Sequence, residues 1–379
     1  MSAPLLVCAL CRQQEEAATS RWRCRCGGPF EVVFRRRPEK DQDHEKFQGL
    51  WRYRSALPVQ HRENIVTLGE GMTPLVPGRL LGHEVLLKTE FTNPTGSYKD
   101  RGWTVAVSHL KEIGIRDVVE DSSGNAGASL AAYGARAGIH VRIFVPADAP
   151  AQKKAQILAH GAQLESVAGG REAVAAACRR AAAQSFYAGH AWNPWFLEGT
   201  RTLAWELAEQ TAPTPPAAVV MPVGQGGILL GLHRGFTDLM EADQMAARPA
   251  LVAVQAAACA PLVQGVAAGS SEPPPLTPRP SVADGIRTPR PVRYRQLLAL
   301  LEKNKDQALA VTEEEILAAR RILAAQGFYV EPTSAVAAAG AGKWLAERKD
   351  PPAGPVVIIL TGHGLKAGTL PQEAAPPPP

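Results

Sequence analysis

The stretch Asn93-Pro94-Thr95-Gly96-Ser97-Tyr98-Lys99-Asp100-Arg101-Gly102 holds the residue types best suited to covalent chemistry, and Lys99 is its centre. Pro94 and Gly96 mark a loop, Ser97 is a competent N-cap, and Trp103 to Leu110 carry helical spacing. A lysine in the first turn of a helix faces the positive end of the helix dipole, which disfavours its ammonium form. Only a free amine attacks an aldehyde, so a lysine so placed suits Schiff-base chemistry. The plain alternative is a surface lysine paired with Asp100 or Glu90, and the rest of the chain has to decide between the two.

Three further loops carry unusual composition. In Asp121-Ser122-Ser123-Gly124-Asn125-Ala126-Gly127, hydroxyls and small residues at a helix start make an anion site suited to a carboxylate or phosphate, although an ordinary capped turn has the same look. In Pro222-Val223-Gly224-Gln225-Gly226-Gly227-Ile228, three glycines in four residues let the backbone wrap an anion. A dinucleotide fingerprint would need glycine at Leu229, and a P-loop would need a Gly-Lys-Ser/Thr ending, so a cradle for a phosphate monoester remains. In Leu360-Thr361-Gly362-His363-Gly364, Thr361 offers a neutral hydroxyl at the end of an apolar run, and His363 reads more readily as a structural histidine than as a catalyst. A Schiff-base lysine, a monophosphate cradle, a hydroxyl for a ring nitrogen and a second anion site are together the requirements of pyridoxal 5'-phosphate bound with an amino acid.

Of six cysteines, four fall in the first 26 residues, as Cys8-x-x-Cys11 and Cys24-x-Cys26 separated by twelve residues. Two short knuckles can present four thiolates to a tetrahedral zinc ion, so the first reading is a structural metal site. The second knuckle is one residue short, and metal-free knuckles or a redox pair stay open. Arg21, Arg23, Arg25 and Arg35 to Arg37 would suit nucleic acid, but Glu39, Asp41, Asp43 and Glu45 follow at once, as in a solvated mixed-charge linker.

These residues need a frame, and the chain supplies an alternation. Strands are expected at Val85–Lys88, Asp117–Asp121, His140–Val145, Gln163–Val167, Ala217–Pro222, Ala250–Gln255, Ala308–Val311 and Val356–Thr361. Alanine-rich helices are expected between them, over Gly124–Ala137, Ala151–His160, Arg171–Gln184, Glu198–Glu209, Ile228–Met240, Thr312–Ala325 and Thr333–Glu347. The pattern indicates βαβ units, and runs such as VVIIL without polar alternation suit strands covered on both faces. The expected fold class is α/β, with two doubly wound parallel-sheet domains and a small N-terminal zinc-ribbon-like module. The expected boundaries are 1–34 for that module, 35–63 for a linker, 64–370 for the catalytic region with a smaller subdomain at about 103–190, and 371–379 for a disordered tail. Pro261 to Pro291, with eight prolines, is expected to be an irregular excursion.

The 379 residues are 45% hydrophobic with net charge +5, which is too small an excess at this size to argue for nucleic acid. No apolar run reaches membrane-spanning length, and the first residues make a poor signal peptide, so the cytoplasm is the expected location.

The motifs NPTGSYKDRG, SSGNAG, GQGGI, EPTSAVAAAG (Glu331 to Gly340) and TGHGLK, in this order after a ribbon ending in RCRCGG, resemble the threonine synthase family among the fold type II pyridoxal-phosphate enzymes. The resemblance covers nearly the whole chain. It implies Lys99 as the Schiff-base residue and proton shuttle, and Asn125 as a partner of the cofactor's 3-hydroxyl. It further implies Gly224, Gln225, Gly226, Gly227 and Ile228 around the cofactor phosphate, Thr361 at the pyridine nitrogen, and Ser122, Ser123 and Gly124 at the substrate carboxylate. The implied reaction is conversion of O-phosphohomoserine and water to threonine and phosphate, and the implied assembly is a homodimer. One position departs: Phe196 stands where that family carries an arginine that helps bind the substrate's phosphate, and Arg201 on the same predicted helix is the candidate to replace it. The departure keeps β-elimination or β-replacement, as in serine or threonine dehydratases and cysteine synthases, as the alternative. An inactive α/β scaffold carrying a zinc ribbon is the third reading.

Overall fold

The computed structural model describes residues 4–34, 38, 47, 49–149, 151–303 and 306–367. In chain order its first elements are β1 (Leu5–Cys8), β2 (Gln14–Glu16), β3 (Phe30–Val33), β4 (Leu75–Leu80), β5 (His83–Lys88), α1 (Lys99–Glu112), β6 (Asp117–Glu120) and α2 (Asn125–Ala137). There follow β7 (His140–Pro146), α3 (Ala151–Ala159), β8 (Gln163–Val167), α4 (Arg171–Ala181), β9 (Phe186–Tyr187), α5 (Pro194–Thr211), β10 (Ala218–Pro222) and α6 (Gly227–Glu241). The last are β11 (Ala250–Ala256), α7 (Pro261–Ala268), α8 (Tyr294–Lys303), β12 (Gln307–Val311), α9 (Glu313–Ala325), α10 (Pro332–Ala346) and β13 (Val356–Ile359). Local signals account for several ends. Gly138 closes α2 in the left-handed region (φ 67°), and Thr312 with Glu315 opens α9 as a reciprocal capping box.

The chain divides into two compact units. The first comprises Met1–Met72, Asn93–Trp205 and Arg234–Met245. It holds the parallel sheet β8-β7-β6-β9 and the antiparallel sheet β2-β1-β3. One core joins Leu6, Phe30 and Val32 of the small sheet to Trp103, Val107 and Leu110 of α1 and to Ile143 and Val145 of β7. The second unit comprises Thr73–Thr92, Glu206–His233 and Ala246–Pro379. Its six-stranded sheet runs β12-β11-β10-β13-β5-β4, with its core formed by residues such as Val220, Val254, Val336 and Ile358.

The α/β class with parallel sheets holds, and four differences have physical reasons. The second unit's sheet is mixed, because β4 folds back on β5 as an antiparallel edge through the turn at Leu81 and Gly82. Residues 49–63, expected inside a linker, include a buried 3-10 segment at Gly49–Ala56 with Leu50, Trp51 and Tyr53 in its core contacts; the charged run at 35–46, apart from Pro38, lies outside the described residues. The proline-rich excursion contains α7, whose Pro261 occupies the first helical turn, where a missing N–H costs nothing. Ser97 does not cap α1: Tyr98 is the N-cap residue, and the Ser97 Oγ is buried without a hydrogen bond. The expected tail at 371–379 lies outside the described residues.

Candidate active site

Lys99 is the first residue of α1. Its loop is held by Asp100, which is fully buried and accepts hydrogen bonds from the Thr95 N–H (2.7 Å), Thr95 Oγ1 (2.5 Å) and Ser129 Oγ (2.5 Å). Burial pushes the Asp100 carboxyl up to about 6, against those donors, which favour its charged form. Asn93 fastens the front of the loop by accepting the Gly71 N–H at 3.0 Å. Lys99 Nζ donates to Tyr98 Oη at 3.0 Å and lies 4.7 Å from the Tyr98 ring centre and 5.7 Å from that of Phe196.

Phe196 owes its place to two neighbours. Asn193 Oδ1 caps α5 by accepting the N–H groups of Trp195 (3.0 Å) and Phe196 (3.3 Å), which sets Phe196 in the first turn. Gly102 then leaves room for the ring, since a Cβ there would lie 2.3 Å from it. Phe196 is buried edge-on against Trp103.

Arg201 does not match its expected role. Its guanidinium, 8% exposed, donates to Asp238 Oδ1 (2.8 Å) and Oδ2 (3.0 Å) and to Glu198 Oε1 (3.2 Å). Two carboxylates already neutralise it in the interior, so a substrate phosphate would have to displace them. In this arrangement the guanidinium that was expected to replace the arginine missing at Phe196 is held by Asp238 and Glu198.

Ser122, Ser123 and Gly124 form the turn from β6 into α2, with Gly124 at the N-cap and Asn125 as the first helical residue. The turn is half-buried, and a helix start presents N–H groups that lack intrahelical acceptors. Beside it sits a cluster without counterpart in the sequence reading. Glu120, the last residue of β6, is fully buried; its Oε2 accepts the His190 backbone N–H (3.1 Å), and its Oε1 lies 2.9 Å from His190 Nδ1. Tyr187 of β9 donates to Asp121 Oδ1 at 2.9 Å. Burial pushes the Glu120 carboxyl up to about 8, with Lys99 and Arg171 pulling it back. Burial pushes His190 well below its ordinary value, and the positive charges of Lys99 and Arg171 push the same way against Asp121. Asp121 is raised by burial and by Glu120. The only sequence signal was the acidic pair Glu120-Asp121 that follows two valines at the end of β6.

A cavity of about 530 Å3 lies at the other end of this sheet, lined by Asp117, His140 and Gln163 where β6, β7 and β8 begin. Ligands of parallel sheets lie instead at the carboxyl ends, where Lys99's neighbours gather.

In the second unit, Val223 to Gly226 join β10 to α6, which Gly227 and Ile228 begin. Gly226 takes φ +82°, and a Cβ there would lie 2.3 Å from Leu297. Gln225 is pinned by accepting the Val292 N–H at 3.1 Å. Thr361 follows β13, the neighbour of β10, and is buried with its Oγ1 3.1 Å from Ser334 Oγ. Ser334 also bridges both backbone groups of Gly362, accepting its N–H (2.7 Å) and donating to its carbonyl (3.0 Å). This gives the EPTS motif a role: it holds the turn that carries Thr361. His363 accepts the Leu365 N–H and packs near Phe91 and Tyr329, a structural use.

The four N-terminal cysteine sulfurs converge, all within 4.8 Å of one another, with Cys8 to Cys26 at 3.4 Å and Cys11 to Cys24 at 3.6 Å. Cys178 and Cys259 are buried elsewhere.

The residues present suit pyridoxal phosphate: a lysine at a helix start beside an orphaned buried hydroxyl at Ser97, a glycine turn that a Cβ would fill, and a buried threonine hydroxyl at a strand end. Comparison with known proteins agrees. The sequence profile described as pyridoxal-phosphate dependent enzyme matches residues 66–362. Threonine synthase of Methanocaldococcus jannaschii is 34% identical over 95% of this chain and 92% of its own, and that of Methanosarcina acetivorans is 36% identical over 90% and 87%. The crystal structure of serine racemase from Dictyostelium discoideum superposes with TM-score 0.66 at 26% identity, covering 77% of this chain and 92% of its own. The chain is therefore a pyridoxal-phosphate-dependent enzyme and belongs to the threonine synthase family.

Proposed function

We propose that this enzyme converts O-phosphohomoserine and water to threonine and phosphate. The observation that carries this reading is the match to threonine synthases over most of the chain, 95% of it in one case. The bound cofactor supplies an electron sink for negative charge developing at the substrate's α- and β-carbons. Lys99 would hold the cofactor covalently and is the base for the α and β protons, returning one to the γ-carbon and one to the α-carbon, its loop kept rigid by Asp100. Asn125 donates to the cofactor's 3-oxygen. Backbone N–H groups of Gly224, Gln225, Gly226, Gly227 and Ile228 hold the cofactor phosphate. Thr361, steadied by Ser334, meets the ring nitrogen with a hydroxyl, which withdraws less charge than an acid would and favours elimination over transamination. Ser122, Ser123 and Gly124 receive the substrate carboxylate at the start of α2.

A second reading is favoured by Phe196 and by the engagement of Arg201 with Asp238 and Glu198. With neither offering a phosphate clamp, the enzyme would eliminate or replace a smaller β-substituent, as on serine or threonine. Measuring phosphate release from O-phosphohomoserine beside oxoacid release from serine and threonine separates the two. Phosphate release at rates well above oxoacid release is the expected result, and Lys99→Ala should abolish either activity. Oxoacid without phosphate would overturn the first reading.

The four cysteines are proposed to hold a structural zinc ion, because tetrahedral zinc with bonds near 2.3 Å separates its thiolates by about 3.8 Å, within the spread of the observed sulfur spacings. The module at 1–34 is then a zinc ribbon, and 64–370 the catalytic region. A cytoplasmic homodimer is proposed from the resemblance; among the described residues no helix is long and apolar enough to cross a membrane.

A further inference from the structure

Phe196 and Arg201 leave the substrate's leaving group without a clamp, which raises the question of what meets the departing oxygen. The Glu120 and His190 pair stands at the carboxyl ends of β6 and β9, which are neighbouring parallel strands. Glu120 grips His190 at two points, the backbone N–H and Nδ1, so the ring's orientation and tautomer are set by one carboxyl group. His190 Nε2 makes no hydrogen bond among the described residues, although the side chain is only 14% exposed. The His190 ring lies 5.8 Å from the Phe196 ring, whose centre is 5.7 Å from Lys99 Nζ. A histidine anchored on one nitrogen, open on the other and sharing an aromatic neighbour with the catalytic lysine has the layout of an acid–base relay.

We propose that His190, oriented by Glu120, passes a proton to the departing phosphate and later takes one from the incoming water. The proposal deepens the threonine synthase reading and rests on it. As the bond from the γ-carbon to oxygen breaks, its electron pair stays on the phosphate, which takes a proton from His190 Nε2, while the Glu120 carboxyl proton moves to Nδ1. The β–γ double bond forms from the electrons left when Lys99 removes the β proton. Lys99 returns that proton to the γ-carbon, which moves the double bond between the α- and β-carbons and opens the β-carbon to water. When water adds, its oxygen bonds to the β-carbon, one of its protons goes to Nε2, the Nδ1 proton returns to Glu120, and Lys99 gives its other proton back to the α-carbon. The pair ends as it began, and no oxidant or reductant is consumed. The environment suits this cycle. Burial pushes the Glu120 carboxyl up to about 8 and keeps His190 neutral, so at neutral pH the transferable proton rests on Glu120. The other ionisable groups facing the pair are Lys99 from α1, Arg171 and Cys178 from α4, Asp121 at the end of β6 and Tyr187 from β9, itself bound to Asp121. Glu120 is thus a positioning and proton-holding residue, and His190 the group that meets the substrate.

The experiment uses the cofactor-loaded enzyme with His190→Gln and Glu120→Gln, O-phosphohomoserine as substrate, and three readouts: phosphate release, exchange of the α proton with deuterated solvent, and the visible absorbance of the cofactor. For His190→Gln, kcat should fall on the order of 100- to 1,000-fold, with KM and α-proton exchange within about threefold of the parent and the absorbance unchanged. The parent's kcat should decline as pH rises through about 8, and Glu120→Gln should lose that limb. Turnover of His190→Gln within threefold of the parent would overturn the proposal. So would equal losses of exchange and turnover, because a merely structural histidine would damage Lys99's step as well. If the parent releases no phosphate but forms oxoacid from serine, the substrate reading has failed, and the same variants measured on serine decide whether His190 protonates the leaving hydroxyl.

Discussion

Asp100 is the residue that most constrains how Lys99 is presented, and its ionisation is written into stability. The group is buried, and burial moves its folded pKa from an ordinary 3.8 to about 6. Below pH 4 the carboxyl is protonated in folded and unfolded chains alike, and the stability it contributes is full. Between pH 4 and about 6 the unfolded chain ionises first, so stability falls as pH rises through that window, by about 3 kcal/mol in total. Asp100→Asn should remove this slope. Its amide can accept the Thr95 N–H on oxygen and donate from nitrogen to the Thr95 and Ser129 hydroxyls, which rotate to receive it. Urea unfolding of both proteins from pH 4 to 7 gives the test. The difference in stability should shift in favour of the variant as pH rises, and parallel curves would show that Asp100 is not protonated in the native protein near pH 5.

The segment at 49–72 shows how an element without periodicity can still be central. Glu70, 1% exposed, accepts Trp51 Nε1–H (3.1 Å), the Thr67 hydroxyl (3.0 Å), the Leu68 N–H (2.9 Å) and the Tyr133 hydroxyl (2.6 Å), tying a 3-10 segment to α2. Trp51 also donates to Thr104 of α1 at 2.8 Å. Trp51→Phe keeps most of the apolar contact but leaves the buried carboxylate short of a donor. It should cost about 1–3 kcal/mol and lower Tm by several degrees. A Tm within one degree of the parent in calorimetry would show that the other donors suffice. Nothing in the sequence announced this knot, because its members are spread from Trp51 to Tyr133 and a neighbouring charged run reads as solvent. The alternating strands and alanine-rich helices were legible, since short apolar runs such as VVIIL and alanine-rich stretches of nine residues or more recur in turn along the chain. So were the loops with Lys99, Gly226 and Thr361, because glycine, serine and threonine at strand ends carry a local chemical signature. Glu120 and His190 were not legible. They become neighbours only when β6 pairs with β9, a strand of two residues with no period to read. The fate of Arg201 was hidden for a similar reason, as Asp238 lies far along the chain.

At the scale of the molecule, the cysteine sheet is built into the first unit rather than appended to it. Leu6, Cys8, Cys24, Phe30 and Val32 share one core with Trp103, Val107 and Leu110 of the helix that Lys99 begins. Two polar ties reinforce this: His109 of α1 donates from Nε2 to the Ala17 carbonyl at 3.1 Å, and Arg234 pairs with Glu31. Burial pushes His109 down to about 3 and Trp195 stacks on its ring at 3.5 Å, so it acts as a neutral donor across the physiological range. Loosening the sulfurs should therefore be felt at α1 and not only at the amino terminus. If zinc ties the four thiolates, its removal deletes a binding energy that is part of the folding energy of that unit. A strong chelator, or paired Cys11→Ser and Cys26→Ser, should lower Tm on the order of 10 °C, and the cofactor's visible absorbance should be lost in the same transition. Cys11 and Cys26 are the exposed members of the set, so these serines remove ligands without burying new polar atoms. Elemental analysis should give one zinc per chain before chelation. A chain purified without zinc whose melting ignores the chelator would reduce the cysteine cluster to a packed remnant, and a drop in Tm that leaves the cofactor absorbance in place would mean that the sheet and Lys99's helix unfold independently.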